Sequence, residues 1–391
     1  MAGRLLRLVP DGVLNRILPH RYRYDPAELH VAVPPSTPIR LFIAPVNWAG
    51  QAWRWARAAE QNIDGVGAVT MAYRVGGEFG HPADLVIPAT GYVLSSGWQR
   101  RQRDAVLTGF THVIIEAERH IFGRVYDQTV EQQVRELLGA GVRAAFLCHG
   151  SDIRLPSRHA AGNEYSPFLG ALGDLTARLE KQALENKALL DTLRLPVFVS
   201  TLGLLSDVPE ASWLPVVVDP SLWATESVPF TRERPVVAHA PSRASMKGSE
   251  LIDPVMRRLH DDGLIEYVRI EGVPAGEMPA VYRHADVVLD QFRLGDYGVA
   301  ACEALAAGRV VVGHVTTDVR ARVKAETGRD LPIVEATAAT LERIISDMCE
   351  NRERYRTIAR SGVEFVQGVH DGRRSADVLR PFLTNPEEDS P

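Results

Sequence analysis

Cysteine is scarce in this chain: three in 391 residues, Cys148, Cys302 and Cys349, far apart from one another. That excludes a disulfide framework and any paired-cysteine metal knuckle, and it makes a reducing, cytoplasmic setting the expected location. Long apolar runs are also lacking; none approaches the roughly 20 residues that cross a bilayer. Positive charge is not in excess, with 44 Lys and Arg against 49 Asp and Glu. The resulting net charge of -5 argues against non-specific nucleic-acid binding, and no nucleic-acid partner is expected. No strand-like run is followed by GxGxxG with an acid about 20 residues on, which counts against a dinucleotide oxidoreductase. The first 23 residues have neither an uninterrupted apolar stretch nor a small-residue cleavage site, so they do not read as a secretory signal.

What is present describes a soluble globular chain, 45% hydrophobic and 24% charged, long enough for two cores. Residues 1–37 form a basic extension in which Leu5, Leu6, Leu8, Val13, Leu14 and Ile17 alternate with arginines. Pro10 interrupts that pattern and argues against one long helix. The segment is expected to pack on the body of the protein or to fray. The alternative is a peripheral contact with an anionic membrane surface.

From residue 38 onward, apolar strand-like runs alternate with helical patterns in two series. The first has runs at 40–45, 66–73, 84–88, 112–116, 143–148 and 196–200, with helices at 51–61, 127–138 and 169–193. The second has runs at 235–240, 265–270, 286–289, 309–313 and 331–334. Its helices fall at 254–260, 278–284, 299–307, 338–350 and 352–366. Continuous apolar runs are what strands need when helices cover both sheet faces. The expectation is an α/β chain with two Rossmann-like, doubly wound parallel-sheet domains facing a cleft, at 38–220 and 221–370. Residues 371–391 complete it, with a helix at 374–383 that returns to the first domain and an acidic tail.

Three segments of the second series carry candidate chemistry. At the end of its first strand stands His239-Ala-Pro-Ser-Arg-Ala-Ser-Met-Lys-Gly. Arg243 can form a bidentate pair with an anion and Lys247 supplies a compact charge, with Ser242 and Gly248 in the same loop. Asp253-Pro254 reads as a helix cap followed by proline at the first helical position. Next comes the turn of Gly272 and Val273. The third runs from Asp290 to Val312, where a glycine-bearing loop leads into a small-residue helix carrying Glu303. A carboxylate there suits the hydroxyls of a ribose. Each segment alone also reads as an ordinary loop or βαβ unit; their order is what joins them.

Together these residues resemble the second domain of the retaining, nucleotide-sugar-dependent glycosyltransferases of the GT-B fold, in the large family called group 1. The resemblance covers most of the chain from about residue 40 and is most specific over 242–313. It implies that Arg243 and Lys247 hold the donor diphosphate and that Glu303 binds the ribose. The family's acid eight residues before that Glu is replaced by Gly295. Asp296, or the backbone at Tyr297 and Gly298, is expected to take over its contact with the transferred sugar. The first domain adds His149, at a strand end like the family's histidine near that sugar, with Asp152 beside it. The loop holding Gly50 and Gln51 resembles the family's amino-terminal glycine region on the acceptor or phosphate side. Trp48, Trp53, Trp55 and Trp98 are candidates for stacking on an acceptor sugar, for a lipid interface or for core positions.

The resemblance implies a nucleotide-sugar donor as co-substrate, with no cofactor, and a saccharide or lipid-linked acceptor of the kind used in cell-surface polysaccharide or glycolipid synthesis. It implies no bound metal, and no Asp-x-Asp element is present. A non-catalytic nucleotide-sugar-binding subunit and a nucleotide-sugar epimerase remain open as alternatives.

Overall fold

A computed structural model describes residues 11–74, 80–241 and 243–385. The first ten residues of the basic extension, residues 75–79, Ser242 and the acidic tail from residue 386 lie outside the described residues.

The first sheet has seven strands: β1 (Ile39–Ala44), β2 (Val66–Arg74), β3 (Leu85–Pro88), β4 (His112–Glu116), β5 (Arg143–Cys148), β6 (Val197–Val199) and β7 (Ser212–Trp213). All pair in parallel, in the order β3-β2-β1-β4-β5-β6-β7. The second has β8 (Val236–His239), β9 (Glu266–Arg269), β10 (Val287–Leu289), β11 (Val310–Gly313) and β12 (Ile333–Glu335). It is also parallel, in the order β12-β11-β10-β8-β9. This is the two-domain GT-B arrangement.

Burial follows the period of two in a strand. Val287, Leu289, Val310 and Val312 pack with Ile252, Met256 and Ile345 on one face of the second sheet. Val288 and Val311, one residue over, join the large core on the other face. In both sheets strand order reverses beside the first strand, at β1/β4 and at β8/β10. Ligand crevices of open α/β sheets form at such points, beyond the strand carboxyl ends.

Helices expected from 127, 169 and 338 start at Val130, Leu175 and Leu341, and the one expected from 254 starts earlier, at Ser249. The helix Ser249–Asp261 begins directly after Gly248 and carries Pro254 inside it. Gly248, at φ 78°, turns the chain from the short helix Ala244–Lys247 straight into the longer one. Asp253 is therefore not a cap. It accepts from the Tyr267 hydroxyl at 2.6 Å and pairs with Arg269.

The helix Arg373–Thr384 packs on the helix Gln51–Asn62 of the first domain. Its Phe382 ring lies 5.3 Å from that of His112. His370, just ahead, donates from Nδ1 to the Val216 carbonyl at 2.8 Å and meets the Tyr297 hydroxyl at 3.3 Å. Burial lowers its pKa to about 4, so it bridges the domains as a neutral ring. Asp11, in the helix Asp11–Ile17, accepts from Tyr24 at 3.2 Å and from Ser95 at 2.6 Å, which fastens that helix to the first domain. No helix among the described residues is long and apolar enough to cross a membrane.

Candidate functional site

A cavity of about 730 Å³ opens between the two domains, lined almost wholly by residues that follow strand carboxyl ends. Arg243, Met246 and Lys247 come from the loop after β8, and Gly272 and Val273 from the loop after β9. The segment after β10 supplies Asp290, Asp296, Tyr297, Gly298 and Glu303. Across from them stand Ala49, His149, Gly150, Arg154 and Thr201 of the first domain.

The β8 loop is organised from beneath by His239, which is fully buried. Its Nδ1–H donates to the Leu289 carbonyl at 2.9 Å, leaving Nε2 to accept from the Ser249 hydroxyl at 2.8 Å. Lys247 forms an ion pair with the buried Asp290, and its carbonyl accepts from the Phe292 amide at 2.9 Å. Together these contacts tie the β8 and β10 loops. Arg243 is exposed, and its guanidinium has no ion pair among the described residues. An incoming anion would thus meet one uncommitted cation and one shared with a carboxylate.

Glu303 sits on the second turn of the helix Val299–Ala306. Desolvation raises its pKa from 4.5 to about 7, while the charges of Arg54 and Lys247 pull it back down. The acid is therefore poised between its neutral and ionised forms near neutral pH.

In the first domain, His149 meets Glu116 through Nε2 at 3.1 Å. Glu116 ends β4 and is fully buried. Its other oxygen accepts from the amides of Val46 at 3.0 Å and Asn47 at 2.9 Å. One carboxylate thus fixes both the His149 ring and the turn that follows β1.

Nine sequence-chosen residues reach the cavity: His149, Arg243, Lys247, Gly272, Val273, Asp296, Tyr297, Gly298 and Glu303. Four others are not in its lining. Gly248 is buried one residue beyond Lys247, where a Cβ would lie 3.0 Å from Arg293. Gly50 gives way to Ala49 at the cavity wall. Gln51 exchanges two hydrogen bonds with the backbone of Val217, at 3.1 and 2.7 Å, and is committed to holding its helix in place. Asp152 accepts from the amides of His149 and Gly150, at 2.8 and 2.5 Å, and so shapes the turn rather than facing the cavity.

Asp296 lines the cavity, but its oxygens are taken by Arg154 at 3.3 Å, the Gly203 amide at 3.1 Å and the Tyr297 amide at 2.9 Å. It holds the domains together in this arrangement, and both of its oxygens already accept hydrogen bonds. Gly295 adopts φ 65°, and a Cβ there would lie 2.6 Å from the Thr316 methyl. No side chain fits at that position without a shift.

Glu116, Arg154 and Asp290 were not singled out from the sequence. Glu116 does leave a trace, as an acid directly after the apolar run 113–115. Asp290 leaves the same trace just beyond β10.

No protein-family model matches the sequence, and neither does any curated protein. Solved structures similar in fold include Anabaena HepE in complex with UDP and glucose, at 12% identity and TM-score 0.55, covering 88% of this chain and 99% of that one. Sucrose-phosphate synthase from Thermosynechococcus elongatus is similar at 12% identity and TM-score 0.55, covering 87% and 96%. The catalytic domain of starch synthase IV from Arabidopsis thaliana, bound to ADP and acarbose, is similar at 11% identity and TM-score 0.54, covering 88% and 98%.

Proposed function

We propose that the protein is a glycosyltransferase that moves a sugar from a nucleoside-diphosphate sugar to an acceptor hydroxyl with retention of configuration. One observation carries this reading: Arg243, Lys247 and Glu303 of the second domain and His149 of the first line the same cavity between two Rossmann-like sheets. The fold is shared with proteins whose solved structures hold UDP or ADP.

In this reading the diphosphate lies against Arg243 and Lys247. As the bond to the sugar breaks, negative charge grows on the leaving phosphate, and two preplaced cations stabilise it in a cavity partly cleared of water. They would do so without a metal ion. Lys247 exchanges part of its pairing with Asp290 for the phosphate, while Arg243 is ready as it stands. Glu303 accepts hydrogen bonds from the ribose, which favours its ionised form. His149, its Nε2 proton directed to Glu116, accepts from a hydroxyl of the transferred sugar through its other ring nitrogen. With Asp296 tied to Arg154 and the Tyr297 amide donating to Asp296, the Gly298 amide is left to hold that sugar on the other side. The acceptor hydroxyl then attacks from the face the diphosphate is leaving, which retains configuration, and passes its proton to the departing phosphate oxygen. A role in cell-surface polysaccharide or glycolipid synthesis fits such an acceptor.

The test is a thermal-shift panel of UDP, GDP and ADP and their hexoses. A ligand at 100 times its dissociation constant adds about 2.7 kcal/mol of stability. The shift should shrink sharply in Arg243→Ala, whose turnover should fall by roughly 10². A full nucleotide shift and normal turnover in folded Arg243→Ala would refute the diphosphate assignment. Donor consumption that requires EDTA-removable metal would refute the metal-free part alone.

A further inference from the structure

The tryptophans of the first domain divide sharply. Trp55 and Trp98 are fully buried, and their indole N–H groups donate to the carbonyls of Pro215 at 2.7 Å and His30 at 2.8 Å. Trp213 is buried as well, and Trp53 lies half-buried with Arg57 over its ring. Trp48 alone among them is 37% exposed. Its ring meets that of His149 edge-on at 5.0 Å, and its chain neighbour Ala49 lines the cavity.

The backbone that presents Trp48 is strained. Asn47 and Ala49, on either side of it, lie at φ 49° and 51°, and Gly50 follows at 71°. Left-handed backbone costs a non-glycine residue on the order of 1–3 kcal/mol and persists only where its surroundings hold it. Here they do. Asn47 donates from Nδ2 to the Pro82 carbonyl at 2.7 Å and accepts from the Trp53 amide at 3.1 Å, besides the two amides held by Glu116. The Arg119 guanidinium lies 5.6 Å from the centre of the Trp48 ring and also bonds the Tyr73 hydroxyl. A fold indifferent to Trp48 would relax this turn and bury the indole.

We propose that Trp48 is the stacking platform for a pyranose ring of a saccharide acceptor. This rests on the cavity being a sugar-transfer site, and it gives the acceptor a chemical class. The apolar C–H face of a pyranose matches an indole face, and the hydroxyls around the ring remain free to hydrogen-bond. Beside His149, a stacked ring would present a hydroxyl toward the cavity.

Saturation-transfer NMR on the full chain tests this with methyl glucoside, methyl galactoside, methyl mannoside, cellobiose and maltose, each with and without nucleoside diphosphate. At least one saccharide should bind, with saturation strongest on the protons of one ring face. Its affinity should fall at least tenfold in Trp48→Ala and recover in Trp48→Phe, while the nucleotide thermal shift is kept. Equal saccharide binding by Trp48→Ala would overturn the proposal. So would a nucleotide shift with none of the saccharides bound, or binding of octyl glucoside through its alkyl chain alone. If no nucleotide shifts the protein, the transfer reading fails, and the saccharide titration judges Trp48 by the same criteria.

Discussion

Arg154 of the first domain donates to Asp296 of the second at 3.3 Å, with both side chains buried at the cavity wall. The carboxylate also accepts from the Gly203 amide, and desolvation raises its pKa while Arg154 opposes that rise. Nearby contacts run the same way. His159 donates to the Leu294 carbonyl at 3.0 Å and Asn163 to the Arg293 carbonyl at 2.8 Å. The loop after β10 is thus held in place by the opposite domain. Removing one partner of a buried pair strands the other, at a cost of about 3 kcal/mol. Denaturant unfolding of Arg154→Ala, Asp296→Ala and the double variant should return a coupling of about 1–3 kcal/mol. Strict additivity would show the contact to be incidental.

The sheets were legible because buried parallel strands must be continuously apolar. The runs 112–116 and 143–148 coincide with β4 and β5 to the residue. The apolar alternation did not disclose partners distant in sequence. Nothing near Asp152 or Asp296 says that their carboxylates would serve backbone amides, because a capping aspartate and a ligand-binding one are the same residue in the same kind of loop. Glu116 and His149 lie 33 positions apart and meet only because β4 and β5 are neighbours. Pro254 misled for a related reason. It reads as a helix start, but Gly248 at positive φ had already begun the helix.

Gly295 yields a steric prediction. Alanine there would adopt left-handed backbone, at about 1–2 kcal/mol, and would overlap the Thr316 methyl as well. Thr316→Ser removes that methyl and keeps the hydroxyl that caps the helix Thr317–Thr327. Gly295→Ala should therefore lower Tm, and adding Thr316→Ser should restore part of the loss but not all. No recovery would mean that backbone strain alone sets the cost. An acid placed at 295 faces the same obstruction and should not restore a sugar contact.

Glu303 should make stability depend on pH in a defined window. An acid whose pKa rises on folding binds its proton more tightly in the folded chain. Ionising it therefore disfavours the folded state progressively from pH 4.5 to about 7, and fully above that. Glu303→Gln lacks this term. The difference in Tm between variant and wild type should move in the variant's favour between pH 5 and pH 8, by on the order of a few degrees. A difference that stays constant across this range would show that the side chain is better solvated than its place in the cavity implies.

The Glu116 carboxylate accepts on both sides: one oxygen faces two backbone amides and the other faces His149. Glu116→Gln keeps the shape but has only one oxygen. Two amide donors outweigh one imidazole, so that oxygen should stay with Val46 and Asn47. The new amide group then points at His149 Nε2, which must accept instead of donate, and the ring proton moves to Nδ1. Imidazole nitrogen shifts recorded at pH 8 should report this exchange of tautomer, with a stability loss of about 1 kcal/mol. Glu116→Ala instead leaves two amides without a partner at about 1–3 kcal/mol each, and should release the strained turn that carries Trp48. If the tautomer is unchanged in Glu116→Gln, His149 is oriented by its aromatic neighbours, Trp48 and Trp55, whose rings lie 5.0 and 5.9 Å away, and the carboxylate serves the turn alone.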